Sequence, residues 1–188
     1  MTRLLFRTLN GPALVLLTLI GIAIQTSFFS FWILPYFQPD IVLLMVIWCA
    51  LRRDFVEGGI LTLIVSDIAE IHSAAPAGLF LISYMLVYLL VRLAARIFVI
   101  PDLSSFLLVT LLATALEKIT NLCLLSLLGA QGTQVRHTLV YLFPVAIVNA
   151  VLGRWLYRWA EKFDWVTFKN AQADRALEDE LQLENQGI

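Results

Sequence analysis

The chain has 188 residues, of which 60% are hydrophobic and 14% are charged, with a formal net charge of −1 and a mean hydropathy of +0.85. Soluble domains contain about 45–50% apolar and about 25% charged residues, so this composition excludes an ordinary soluble domain. The length predicts a single domain, and the charge balance offers no basic region for nucleic acid.

Arginines occur in pairs, one pair in every second gap between apolar stretches. The pairs are Arg3/Arg7, Arg52/Arg53, Arg92/Arg96 and Arg154/Arg158. Basic loops of membrane proteins stay on the cytoplasmic side. The pattern therefore predicts an all-α polytopic membrane protein, a compact bundle of six transmembrane helices with both termini in the cytoplasm.

The first predicted span covers residues 11–31. Its charge-free stretch is longer than the apolar core of a signal peptide, about 7–15 residues, which favours an uncleaved first span. An aromatic turn on the outer side follows. Span 2 is expected to start near Pro39 and Asp40, since proline at a first helical position and an acid in the first turn both favour a helix start.

Spans 2 and 3, over residues 41–51 and 58–71, are shorter than the about 20 residues that a bilayer crossing needs. They could instead form a re-entrant hairpin. That arrangement would leave Arg52 and Arg53 at mid-membrane, at a cost of about 2.5–3.5 kcal/mol each. We therefore expect two full crossings, with local thinning of the bilayer or helices that extend past the apolar stretch.

The remaining spans are predicted over residues 79–95, 106–128 and 139–156, which completes a transmembrane domain of residues 1–168. A short acidic tail follows at residues 169–188. Leu177 and Leu181 recur there at helical spacing. The tail is interpreted either as a solvated helix or as a docking helix for a cytoplasmic partner.

Apart from the arginines at the ends of spans 4 and 6, four charged residues fall within the predicted spans, where charges are costly and by default indicate function. They are Asp67, Glu70, Glu117 and Lys118. Lys118 needs a partner, which Asp67, Glu70 or Glu117 could supply. Adjacent helical residues point about 100° apart, so a Lys118–Glu117 pair is disfavoured. We expect Lys118 to pair with Asp67 and to hold spans 3 and 5 together; an ion or substrate site is the alternative.

Gly58, Thr62 and Ser66 repeat a small residue every four positions, beside Gly59. Small residues let helix backbones approach closely in lipid. They predict a helix-packing surface within the bundle, or alternatively an interface with a partner.

Motifs for catalysis or metal binding are not found in the sequence. Asp67, Glu70 and His72 lack the spacing of a recognised metal site, and no nucleophile elbow surrounds Ser66. Neither a phosphate-binding loop nor a GxGxxG motif occurs. Cys49 and Cys123 lie in apolar runs, where cysteines are usually buried free thiols. We predict no enzyme, no cofactor and no metal.

Two segments resemble the MreD family of bacterial rod-shape proteins. The first covers residues 38–48, in which Pro39 and Asp40 precede an apolar run. The second contains Gly59 eight residues before Asp67, in a span that leads into a small-residue outer loop.

The chain also departs from the family pattern. The family usually has a glycine at the position of Leu63 and another at about the position of Ile71. These departures fall in span 3, the segment of Asp67.

The resemblance implies a non-catalytic scaffold of the cell-wall elongation machinery in the bacterial inner membrane, which supports rod shape and lateral peptidoglycan synthesis. The implied partner is MreC, within a complex that includes RodA, a class B penicillin-binding transpeptidase and, indirectly, MreB. The family also resembles the six-helix substrate-binding subunits of energy-coupling-factor transporters. The alternative is therefore a small-molecule, vitamin-type binder, whose pocket would be furnished by Asp67, Glu70, His72 and His137.

Overall fold

A computed structural model describes residues 2–28, 37–73, 75–97, 103–129 and 133–167. Over these ranges the protein is all-helical, as the sequence predicts. Its six helices are α1 (Thr2–Phe28), α2 (Ile41–Arg52), α3 (Phe55–Ile71), α4 (Leu79–Ile97), α5 (Leu103–Leu127) and α6 (Thr133–Val166). Three stretches are long and apolar enough to cross a membrane, namely Thr8–Phe28, Leu79–Arg96 and Phe106–Leu127.

Several helices extend beyond the predicted apolar spans. α1 begins before the apolar stretch and contains Pro12, and α6 has 34 residues, so that it extends past its predicted span at both ends. Hydropathy identifies only the part of a helix that suits hydrocarbon, whereas backbone hydrogen bonding continues into polar segments. The predicted tail lies outside the described residues.

α2 lies at the centre of the bundle. Every residue from Val42 to Ala50 is buried, because α1, α3, α4, α5 and α6 all pack against this helix. A helix that is apolar on all sides is expected in a protein core. The uninterrupted apolar sequence of α2 thus accounts for its central position.

Successive helices run in opposite directions, which gives the bundle two distinct ends. Asn10 near the start of α1 donates a hydrogen bond to Thr167 after α6 (Nδ2 to Oγ1, 2.6 Å). This end is termed the Arg53 end, after the residue that follows α2. At the other end the backbone N–H of Ile41 donates to Gln25 Oε1 at 3.2 Å. That end is termed the Asp40 end.

Glycines on α3 and α6 allow these helices to approach their neighbours closely. A Cβ added at Gly58 would lie 2.9 Å from Tyr88 Oη and 3.1 Å from the carbonyl oxygen of Cys49. A Cβ added at Gly153 would lie 3.1 Å from Leu44 Cδ2. Both distances to α2 are shorter than ordinary van der Waals contact, so larger residues at these positions would push the helices apart.

The outward faces of the helices carry large apolar side chains. Exposed examples are Leu16, Ile20, Ile24, Leu93, Leu108, Leu112, Phe143 and Val151. Soluble monomers rarely expose apolar patches above a few hundred Å². Together with the three long apolar helices, this surface indicates a membrane protein.

Candidate functional site

A set of buried hydrogen bonds holds the start of α2. Asp40 is the N-cap residue: its Oδ1 accepts from the backbone N–H of Leu43 at 2.9 Å. The Tyr84 hydroxyl lies 2.9 and 3.1 Å from the two Asp40 oxygens. The backbone N–H of Asp40 donates to Asn149 Oδ1 at 2.8 Å. The start of α2 is therefore where the sequence places it, with Asp40 as the cap rather than as a residue of the first turn.

α5 has a buried polar stripe that faces the interior. Thr110, Thr114 and Glu117 are fully buried, and Asn121 is nearly so. Their spacing of four, three and four residues places them on one face of the helix. The Thr114 hydroxyl accepts from Asn149 Nδ2 at 3.2 Å and donates to the carbonyl oxygen of Thr110 at 2.8 Å. The stripe thus continues the hydrogen bonds that begin at the α2 cap.

The same stripe contains a buried ion pair. Lys118 Nζ lies 2.9 Å from Glu117 Oε2, with side-chain exposures of 21% and 0% respectively. Glu117 Oε1 accepts from Asn121 Nδ2, and Asn121 Oδ1 accepts from the Ser83 hydroxyl at 2.5 Å. The carboxylate therefore has a neighbouring cation and one hydrogen bond at Oε1, whereas Oε2 accepts no hydrogen bond among the described residues.

The expected pairing of Lys118 with Asp67 is corrected by this arrangement. Asp67 is exposed on α3, and Lys118 pairs with Glu117 instead. Adjacent side chains leave a helix about 100° apart, but the flexible four-carbon stem of lysine reaches back to the neighbouring carboxylate. Burial favours this nearest counterion, because an unpaired charge in an apolar interior is costly.

Glu70 caps the next helix rather than joining a polar pair. Its Oε1 accepts from the backbone N–H of Gly78 at 2.5 Å, and its Oε2 accepts from the backbone N–H of Leu81 at 3.2 Å. These N–H groups belong to the start of α4, where no helical carbonyl can accept from them. Glu70 therefore has a structural role between α3 and α4.

The small residues of α3 lie inside the bundle. Thr62 and Ser66 are fully buried, and their hydroxyl oxygens have no hydrogen-bond partner among the described residues. Gly58 packs against α2 and α4, whereas Gly59 is half-buried. Because the hydroxyls of Thr62 and Ser66 make no hydrogen bond within the described part of the chain, we interpret their small size as the property that favours close helix packing.

A pocket of about 450 Å³ lies at the Asp40 end. Ligand pockets in proteins usually have about 300–1,000 Å³. The polar residues that line it are Gln25, Thr26, Gln38, Asp40, His72, Ser73, Tyr84 and Lys118, and the apolar ones are Ile22, Pro39, Val42, Ala69, Phe80 and Val145. Of the expected pocket residues, His72 lines it, Asp67 and Glu70 do not, and the side chain of His137 lies outside those described.

The pocket exists because α2 is short. Its 12 residues give a length of about 18 Å at about 1.5 Å per residue, against about 30 Å for the hydrocarbon core of a bilayer. α1 and α5 extend past the start of α2, where Gln25 and Lys118 line the pocket. The space beyond Asp40 is thus bordered by neighbouring helices and left unfilled by α2.

A second buried network holds the Arg53 end. Arg53 Nη2 lies 2.6 Å from Asp164 Oδ1 and donates to Asn10 Oδ1 at 2.7 Å. Asn10 Nδ2 donates to Asp164 Oδ1 at 3.0 Å. The guanidinium also lies 4.7 Å from the ring centroid of Trp48, a favourable cation–π distance. This network joins α1, α2 and α6.

Arg52 differs from its neighbour. Its Nη2 lies 3.3 Å from Glu161 Oε1, and the two side chains are 46% and 58% exposed. Arg52 also donates to the Tyr157 hydroxyl. The sequence presents Arg52 and Arg53 as an equivalent pair, whereas the structure gives one an exposed position and the other a buried one.

Sequence reasoning missed most partners in these networks. Tyr84, Asn149, Asn10 and Asp164 were not singled out. The signal in the sequence that could have identified such partners was the presence of polar residues within otherwise apolar helical stretches. The residues of the stripe that includes Glu117 are an example. Such residues predict an inward-facing polar face, but they do not reveal which helix supplies the partner.

Cys49 is buried and Cys123 is exposed, so the expectation of buried thiols is correct only for Cys49. Among the described residues, no group of three or more histidine, cysteine or acidic side chains could hold a metal ion.

No family model, no curated protein and no solved structure matches the chain. The resemblance to the MreD family stays a prediction from the segments around Asp40 and Asp67.

Proposed function

We propose that this chain is a non-catalytic scaffold of the bacterial cell-wall elongation machinery, which binds MreC in the inner membrane. The support is the MreD-like segments around Asp40 and Asp67, the apolar outer surface and the exposed carboxylate of Asp67 on α3. RodA and the class B transpeptidase would join the same complex through MreC. The exposed carboxylate is the single observation on which the partner surface depends.

The proposed topology has six membrane crossings with the Arg53 end in the cytoplasm. Arg53 after α2 contacts Asp164 on α6, and Arg92 Nη1 of α4 donates to the carbonyl oxygen of Ala50 at 2.9 Å, so arginines from different helices lie at one end of the bundle. Basic residues collect on the cytoplasmic side of membrane proteins. Asn10 near the start of α1 contacts Thr167 after α6, so the proposed topology assigns both described chain ends to the cytoplasm as well.

The outward face of α3 is the proposed MreC-binding surface, defined by the exposed residues Val56, Ile60, Ile64, Asp67 and Ile71. Their spacing of four, four, three and four residues forms a single stripe along the helix. Asp67 lies four residues before the end of α3, and a charged side chain that faces lipid within a span is costly. A transmembrane helix of MreC that covers the stripe would remove Asp67 from lipid and offer it a hydrogen-bond donor.

Site-specific cross-linking in cells tests this surface. A photo-reactive amino acid at Ile60 or Ile64, which are 52% and 42% exposed, is expected to capture MreC. The matched controls are Leu112 of α5 and Val151 of α6, which are 62% and 66% exposed and should not capture it. Capture from the controls at equal yield, or its absence from both α3 positions, would refute the proposal.

Co-purification provides a second readout. Asp67→Leu is expected to reduce the amount of MreC that co-purifies with the tagged chain, because the substitution removes the polar group from the stripe. Glu161→Leu replaces an exposed acid at the opposite end of the bundle and serves as the control. Unchanged MreC recovery in Asp67→Leu would show that the carboxylate has no part in binding.

A further inference from the structure

We propose that the pocket at the Asp40 end binds an uncharged small molecule that carries amide or other carbonyl oxygens on an apolar body. This inference does not rest on the scaffold function. It rests on the size of the pocket and on the hydrogen-bonding groups and charges that line it.

The walls of the pocket suit a compact apolar body. Ile22 of α1, Val42 of α2, Phe80 of α4 and Val145 of α6 provide apolar surface around the volume of about 450 Å³. Polar groups occur between them at separate points. Small-molecule sites commonly combine mostly apolar walls with a few placed polar groups.

Donor groups with spare capacity line the pocket. The ammonium of Lys118 has three N–H donors, and its ion pair with Glu117 at 2.9 Å accounts for one of them among the described residues. Gln25 uses its Oε1 to accept from the backbone N–H of Ile41 at 3.2 Å, which leaves its amide N–H donors available within the described part of the chain. These donors require acceptor oxygens on the occupant.

One acceptor complements these donors. His72 Nδ1 lies 2.8 Å from the carbonyl oxygen of Ile68. A carbonyl can only accept, so Nδ1 carries a proton, and in that tautomer of the imidazole Nε2 is an acceptor. An occupant with both a carbonyl oxygen and an N–H group, such as an amide, can therefore use Lys118 or Gln25 on one side and His72 on the other.

The charges favour an uncharged occupant. Lys118 is neutralised by Glu117, and the Asp40 carboxylate is occupied by Leu43 and Tyr84. An anionic occupant would add a negative charge close to the carboxylates of Asp40 and Glu117, which would repel it. A cationic occupant would meet the ammonium of Lys118 without a carboxylate that is free to receive it.

Three probes of similar shape and different charge test the inference. Benzamide, benzoate and benzylamine are titrated into the purified full chain in detergent at neutral pH, and binding is followed by saturation-transfer difference NMR. We expect the Kd of benzamide to be at least tenfold lower than that of either charged probe. Preference for benzoate or for benzylamine, or saturable binding by none of the three, would overturn the proposal.

Variants locate the binding in the pocket. Lys118→Met alone would leave Glu117 buried without a cation, so the double variant Lys118→Met/Glu117→Gln is used, together with Gln25→Leu. Each is expected to weaken benzamide binding at least tenfold while the helical circular dichroism signal is retained. Lys162→Met, an exposed residue of α6, should leave the Kd unchanged. Folded pocket variants that bind benzamide as tightly as the natural chain would refute the site.

The outcome is independent of MreC. Benzamide binding uses the purified chain alone, whereas the scaffold proposal is judged by cross-links from α3 in cells. Failure of one experiment therefore leaves the result of the other unaffected.

Discussion

Removal of the Asp164 carboxylate should destabilise the protein strongly, although Asp164 lies near the end of the described chain. The Asp164 and Arg53 side chains are only 11% and 3% exposed, and their closest atoms are 2.6 Å apart. Asp164→Ala would leave the Arg53 guanidinium buried with Asn10 as its nearest acceptor. Loss of one partner from a buried ion pair costs about 3–5 kcal/mol.

The loss of unfolding free energy expected for Asp164→Ala lies near the lower limit of that range. Glu57 Oε1 lies 3.8 Å from Arg53 Nε, so a second carboxylate partly compensates the stranded guanidinium. We therefore expect Asp164→Ala to lower the free energy of unfolding by about 3 kcal/mol. The measurement is reversible unfolding in mixed micelles titrated with sodium dodecyl sulfate and followed by tryptophan fluorescence.

A matched control lies beside this pair in the same helices. Arg52 and Glu161 form an exposed ion pair with a separation of 3.3 Å, and Glu161→Ala should cost only about 0.2–1 kcal/mol. The double variant Arg53→Met/Asp164→Leu should recover much of the loss, because no buried charge is left unpaired. Equal losses for Asp164→Ala and Glu161→Ala, or a double variant as unstable as the sum of its single changes, would refute the reasoning.

Two further predictions use the same unfolding assay. Gly58→Ala should lower the free energy of unfolding by about 1–3 kcal/mol, because the added Cβ would lie 2.9 Å from a buried tyrosine hydroxyl. The Cβ added by Gly59→Ala would lie 3.8 Å from its nearest neighbouring atom, so this substitution should instead stabilise α3 by up to about 1 kcal/mol. The reverse order would show that α3 does not pack as described. Asp40→Ala should cost about 2–4 kcal/mol, since a helix cap is lost and a buried hydroxyl loses its acceptor. Asp54, the N-cap of α3, makes no side-chain capping hydrogen bond, so Asp54→Ala should have little effect; similar costs for both aspartates would contradict the assigned cap.

The positions of the helices can be predicted from the sequence. Each of the six predicted apolar spans coincides with an observed helix, since helices that pack in an apolar medium need long apolar stretches. Pro39 and Asp40 identify the start of α2 because capping depends on residues adjacent in the chain. The ends of α1 and α6 are harder to predict, because a helix can continue into a polar segment that hydropathy does not identify as helical.

The contacts of the site could not be predicted in the same way. The hydrogen bond between Asp40 and Asn149 joins residues 109 positions apart, and no local pattern specifies such a partner. Arg52 and Arg53 are adjacent and chemically identical, yet the rotation of α2 exposes one and buries the other. Lys118 was mispredicted for a different reason. Its partner is the adjacent residue Glu117, and the flexible lysine side chain can reach that carboxylate although helical angles alone direct the two side chains apart.

The most direct test of the account concerns the sides of the membrane on which the two ends of α3 lie. In a Cys49→Ala/Cys123→Ala background, single cysteines are placed by Ala77→Cys and Asp54→Cys, both at exposed positions between helices. Spheroplasts are treated with a membrane-impermeant maleimide before and after permeabilisation. If the Arg53 end lies in the cytoplasm, the cysteine at position 77 is labelled in intact spheroplasts and the one at position 54 is labelled only after permeabilisation. Labelling of position 54 from outside, or of both positions from the same side, would rule out this orientation.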